Sequence, residues 1–164
     1  MLRTLITTLC LSAAALLQAQ PYLVVDTVFD RKAHETDFAF GADIGFVSQM
    51  ESWGTQWLDK NGRQKDILQI LKEQGINNIR LRVWTTNGFC GKNDVVNMCQ
   101  RAKAKGMGVM IDFHYSDTWA DPGSQTIPSA WTDHSPEALA QNIYDHTYDV
   151  LSAVKATGAN VRWV

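Results

Sequence analysis

Between Phe38 and Val164, short apolar runs and amphipathic stretches take turns, which restricts the chain to a parallel sheet with helical crossovers. Phe38-Ala39-Phe40-Gly41-Ala42-Asp43-Ile44 is an apolar run stopped by Gly45 and reads as a buried strand. Asn61-Gly62 marks a turn. Lys65 to Gln74 carries Ile67, Leu68, Ile70 and Leu71 at helical spacing, with Gly75 as its stop. Asn78 to Trp84 reads as a second strand. Asp94 to Lys105 is a second helix with Val95, Cys99 and Ala102 on one face, and Gly108 to His114 is a third strand. Ser135-Pro136-Glu137 supplies an N-cap, a proline at the first helical position and an acidic first turn. That helix runs to about Thr157, Gly158 closes it, and Val161 to Val164 begins a fourth strand.

Strands that start some 30 to 50 residues apart match the spacing of (β/α) units with long loops. A complete eight-stranded barrel takes about 250 residues, so the expected fold is α/β, the N-terminal half of a (β/α)8 TIM barrel. A doubly wound sheet would also alternate. It is disfavoured because Gly41-Ala42-Asp43-Ile44-Gly45-Phe46 lacks the glycine-rich phosphate loop that follows a first strand.

Side chains on a strand alternate between faces. Arg80, Arg82 and Trp84 therefore share one face of the second strand, and Asp112 and His114 share one face of the third. The helix-covered side must be apolar, so these polar residues are expected to point into the barrel near the C-terminal strand ends. Charge there needs partners, and Asp43 and Asp112 from the neighbouring strands can pair with the arginines. Arg80 is expected to sit deeper and to serve mainly the ion network. Arg82 and His114 are expected nearer the working face. After the third strand comes an unusually long loop of about 20 residues, from Tyr115-Ser116-Asp117-Thr118-Trp119 through Asp121-Pro122-Gly123 to Trp131. Trp119 with Tyr115 is expected to stack on a sugar ring, with Asp117 and Asp121 accepting from hydroxyls. For each Trp the competing reading is plain packing.

The remaining features mostly exclude. Residues 1–19 combine Arg3, an apolar stretch from Leu5 to Leu17 and a small residue, Ala19, at the cut. This is the pattern of a secretory signal peptide, followed by a lead-in segment over 20–37 and the partial (β/α)8 domain over 38–164. The expected location is secreted or periplasmic. A formal charge of −2 offers no field for nucleic acid or an acidic membrane. Cys90 and Cys99 either pair in an oxidising compartment or remain free thiols. No His-Glu-x-x-His, His-x-His or Gly-x-Ser-x-Gly occurs, and Asp112-x-His114 alone is a weak metal site. No cofactor and no metal are expected.

Several blocks resemble a known family. Gly41-Ala42-Asp43-Ile44, Gly75-Ile76-Asn77-Asn78-Ile79-Arg80-Leu81-Arg82-Val83-Trp84, Ala102-Lys103-Ala104-Lys105-Gly106-Met107 and above all Asp112-Phe113-His114-Tyr115-Ser116-Asp117-Thr118-Trp119-Ala120-Asp121-Pro122-Gly123 look like the glycosyl hydrolase family 53 endo-β-1,4-galactanases. These are also called arabinogalactan endo-1,4-β-galactosidases. The resemblance implies a (β/α)8 barrel that cleaves β-1,4-galactan side chains of pectin with retention, as a monomer when full length. It implies an acid/base Glu in an Asn-Glu pair just after Arg162-Trp163-Val164 and a nucleophile Glu on the seventh strand. Both would lie beyond this sequence, leaving the fragment inactive and its half barrel with open, aggregation-prone edges. Glu35, Glu51, Glu73 and Glu137 match neither position. Arg82, His114, Asp43 and Asp112 would support the catalytic centre, and Trp119, Asp117, Tyr115 and Trp84 would bind substrate. The rivals are another retaining barrel hydrolase, of the β-mannanase or cellulase type, and a non-catalytic polysaccharide-binding protein.

Overall fold

A computed structural model describes residues 38–164. The expected signal peptide over 1–19 and the lead-in segment over 20–37 lie outside the described residues. Residues 39–164 form one compact unit. Its elements are β1 (Gly41–Asp43), α1 (Val47–Ser52), α2 (Ile67–Glu73), β2 (Asn78–Val83), α3 (Lys92–Ala104), β3 (Gly108–Phe113), a 3-10 turn (Ser129–Trp131), α4 (Pro136–Thr157) and β4 (Asn160–Trp163). The strands make a four-stranded sheet in the order β1-β2-β3-β4. Every neighbouring pair is parallel. This is the parallel sheet with helical crossovers that the alternation implies, and its sequential strand order is that of one part of a (β/α)8 barrel.

The apolar layer lies between sheet and helices. Ile79, Leu81 and Val83 of β2 and Val109 and Ile111 of β3 meet Leu68 of α2, Val95, Cys99 and Ala102 of α3, and Val150 and Val154 of α4. All of these are essentially inaccessible. At about 25 cal/mol per Å² of buried apolar surface, this layer is the main force holding the sheet to its helices. The alternate residues of β2 and β3 are left to face the other way.

Local chemistry sets the element ends. Asp66 caps α2 by accepting from the Gln69 amide at 3.0 Å. Ser135 caps α4 by accepting from Ala138 N–H, and Gly158 ends it in the left-handed region at φ 68°. α3 starts at Lys92, two residues before the expected Asp94, because Gly91 serves as its N-cap. Asp94 reaches back from the first turn to the Cys90 amide at 2.7 Å and takes the Ser48 hydroxyl at 2.8 Å. β1 is shorter than the expected Phe38–Ile44 run. It pairs over three residues, immediately before which the Phe40 carbonyl is taken by the Asn77 and Asn78 amides. α1 was not expected: it is six residues long and has no side-chain cap to announce it.

Cys90 and Cys99 are both buried and free. The Cys90 thiol lies 3.1 Å from the Gly45 carbonyl. Cys99 packs in the core, and burial pushes its thiol up to about 11.

Candidate active-site wall

The inward faces of β1, β2 and β3 carry one connected ionic network. Arg80 spans two strands: one guanidinium nitrogen bonds Asp43 and the other bonds Asp112. The Asp112 oxygen that receives Arg80 also receives the His114 Nε2 at 2.9 Å. Arg82 reaches the second Asp43 oxygen at 3.4 Å, and the Gly45 amide donates to that same oxygen at 3.1 Å. Asp43, Arg80, Arg82, Asp112 and His114 are thus brought together on the non-helical side, as the strand alternation required.

The two arginines exchange their expected depths. Arg82 is the buried one, with a side chain 2% exposed against 39% for Arg80. The reason is local cover. Phe46, entering α1, lies 4.3 Å from the Arg82 guanidinium, and Trp119 of the β3 loop lies 4.4 Å from it. Trp84 stands 5.8 Å from the same group and meets Phe46 edge-on. Gly45 makes room: a Cβ there would stand 3.1 Å from an Arg82 terminal nitrogen. Two Arg82 donors, Nε and Nη1, are buried without a partner. Such donors are costly unless something accepts from them.

His114 is held in one tautomer. The Ala120 amide donates to Nδ1 at 3.2 Å. A ring nitrogen that accepts carries no proton, so the neutral ring keeps its proton on Nε2 and donates to Asp112. Trp119 packs edge-on against the same ring at 5.3 Å.

The loop residues divide differently from expectation. Tyr115 does not stand beside Trp119. It stacks on Phe113 at 5.4 Å and bonds Thr147 of α4 at 2.7 Å, on the helix side of β3. The Asp117 carboxylate is spent within the protein: Thr85 Oγ1 donates at 2.7 Å, and Ser129 donates its amide at 2.8 Å and its hydroxyl at 2.7 Å. These bonds hold its pKa below the usual carboxylate value. Asp121 accepts from the Trp119 indole at 3.1 Å and from Gly123 N–H at 2.7 Å. Trp119 itself is 45% exposed. A pocket of about 560 Å³ opens beside this wall, lined by Arg80, Asp112, His114, Trp131 and Ile143 among others. Sequence reasoning missed Phe46, Thr85 and Ser129. For Phe46 the available signal was its position directly after the strand-ending Gly45.

None of Glu51, Glu73 and Glu137 belongs to this wall. Glu51 is bound by Arg101, Glu73 by Lys65, and Glu137 sits in the first turn of α4. Among the described residues no group of three or more His, Cys, Asp or Glu is placed to hold a metal ion. No described helix is long and apolar enough to cross a membrane.

A parallel α/β sheet that gathers its ionic side chains at the strand ends, under aromatic cover from βα loops, has the makings of one part of a (β/α)8 barrel with its working face at those ends. The chain belongs to glycosyl hydrolase family 53, whose model matches residues 39–164. It is 38% identical over 138 residues to the endo-β-1,4-galactanase of Bacillus subtilis, covering 78% of this chain and 32% of that one. To the arabinogalactan endo-β-1,4-galactanase of Cellvibrio japonicus it is 39% identical over 126 residues, covering 74% and 33%. Among solved structures, the family 53 catalytic domain of Ignisphaera aggregans superposes with a TM-score of 0.71 at 40% identity, over 75% of this chain and 37% of that one. The chain therefore spans about a third of the length of these curated relatives.

Proposed function

We propose that this chain forms one wall of the cleft of an exported, monomeric retaining endo-β-1,4-galactanase that acts on the galactan side chains of pectin. The carrying observation is Arg82: a guanidinium buried at the strand ends, roofed by Phe46 and Trp119, with two N–H donors unspent. Those donors suit a carboxylate or sugar oxygen presented to the wall. His114, fixed as donor to Asp112, holds that side chain aligned with Arg80. Trp119 offers a half-exposed ring to the flat side of a galactose unit. Retention requires two carboxyl groups about 5–5.5 Å apart, one to protonate the leaving oxygen and one to attack. In this reading they stand on strands outside the third of the relatives that this chain matches, and the chain alone is inactive.

The test joins residues 39–164 to the rest of the Bacillus subtilis barrel and assays galactan, mannan and cellulose in parallel. Galacto-oligosaccharide release from galactan is expected, with no release by the 164-residue chain alone. A preference for mannan or cellulose, or hydrolysis by the chain alone, would overturn the assignment.

A further inference from the structure

His146 takes no part in the ionic wall. It stands on α4 with its ring meeting Phe113 at 5.9 Å, Tyr115 at 6.4 Å and Trp131 at 6.2 Å, each edge-to-face. Tyr115 opens the β3 loop and Trp131 ends its 3-10 turn, so one imidazole touches both ends of the segment that carries Trp119. Its Nε2 is buried and has no partner. A neutral ring tolerates that position. A protonated ring would place an N–H⁺ against aromatic groups with nothing to accept from it, which is expensive.

The surrounding charges do not rescue the cation. Asp149, further along α4, favours protonation, and Lys92 of α3 opposes it. These two are bound to each other at 2.7 Å. The Tyr115 phenol is engaged with Thr147. The Trp131 turn leads to Asp133 and to His134, whose Nδ1 is bonded to Asn142. Asp112 and His114 of β3 belong to the opposite face, bonded to one another. Burial is the largest influence, and it holds His146 below the usual histidine pKa.

We propose that His146 is an acid-operated latch on the β3 loop: its neutral ring docks both ends of the loop on α4, and its protonation releases them. The sign follows from linkage. A histidine whose pKa is lowered in the closed state takes up a proton on opening, so closure weakens as pH falls below about 6.5. One proton makes opening easier by up to about tenfold per pH unit until the closed-state value is passed.

Hydrogen exchange on the whole chain at pH 7.5 and 5.5, corrected for intrinsic rates, tests this. Peptides from 115 to 131 are expected to exchange several-fold faster at pH 5.5, with α3 unchanged. His146→Phe keeps an aromatic ring in place without a titrating nitrogen and should abolish the difference. Equal loosening in His146→Phe, or equal protection of the parent loop at both pH values, would overturn the proposal. If His146→Phe does not fold, the NMR titration of the His146 ring in the parent decides. A midpoint below 6.5 that coincides with shifts in the loop supports the latch, and a midpoint at or above it removes it.

Discussion

The Arg82 guanidinium lies between the Trp119 and Phe46 rings, at 4.4 and 4.3 Å, while its one carboxylate contact, to Asp43, is a long 3.4 Å. A buried cation held mostly by aromatic faces gains about 0.5–2 kcal/mol from each good cation–π contact. That gain is offset by two donors with nothing to bond. Arg82→Met should therefore change stability little, within about 1 kcal/mol, since replacing a poorly paired buried ion by an apolar group of similar shape is often neutral or favourable. Arg80→Met should cost more, about 1–2 kcal/mol, because it leaves Asp43 and Asp112 facing each other without their shared cation. Urea unfolding of the two variants decides. A larger loss in Arg82→Met would mean that its contact with Asp43 dominates.

The Asp117 clamp fixes where Trp119 stands. Three donors from Thr85 and Ser129 converge on one carboxylate and tie the β3 loop to the end of β2. Asp117→Ala should loosen the loop by about 0.5–1.5 kcal/mol, the net worth of an ordinary hydrogen bond, because water can reach the exposed Ser129 donors once the carboxylate is gone. Asp117→Asn should lose less, since its carbonyl can still accept. In pH terms the carboxyl is held below its ordinary 3.8. Its contribution is present above that value and fades as pH falls through the lower folded value. That window is well separated from the one for His146. Loop protection followed by hydrogen exchange down to pH 3 should show an acid step that Asp117→Asn lacks.

Much of this architecture was legible because β2 and β3 alternate cleanly and α4 announces both ends, with Ser135-Pro136 at one and Gly158 at the other. The same alternation correctly brought Asp43, Arg80, Arg82, Asp112 and His114 to one side. It also carried the signal for Tyr115, two residues beyond Phe113 and hence on the helix side, but loop proximity to Trp119 outweighed it in the sequence reading. The relative burial of Arg80 and Arg82 could not be read. It depends on α1, whose six residues have no capping side chain, and on a loop that folds back over the strand end. Asp117 resembled a sugar ligand because its two partners are 32 and 12 residues away in sequence. Such long-range bonds leave no local pattern.

The cysteines give a simple chemical check. Cys90 and Cys99 are 1% and 0% exposed and unpaired. With its pKa pushed to about 11 by burial, Cys99 holds roughly one thiolate per thousand at pH 8. Neither thiol should react with an aromatic disulfide reagent in the folded chain, and both should react promptly in guanidinium. Mass analysis without reduction should show no bridge between them. Rapid modification of Cys99 under native conditions would mean that the face of α3 opens far more readily than its packing implies.

His114 offers the sharpest test of the wall itself. Because the Ala120 amide donates to Nδ1, the neutral ring must carry its proton on Nε2, directed at Asp112. Long-range proton–nitrogen correlation spectra at pH 8 should show a single Nε2–H tautomer, not the mixture of a free imidazole. Asp112→Ala removes the acceptor but leaves the Ala120 bond, so the tautomer should persist while the ring becomes more mobile. Replacing Ala120 by Pro removes the donor, frees Nδ1 to take the proton, and should let the second tautomer appear. An Nδ1–H tautomer in the parent would contradict the bond from Ala120. It would also leave Nε2 with no proton to donate, removing the hydrogen bond to Asp112 on which its alignment with Arg80 rests.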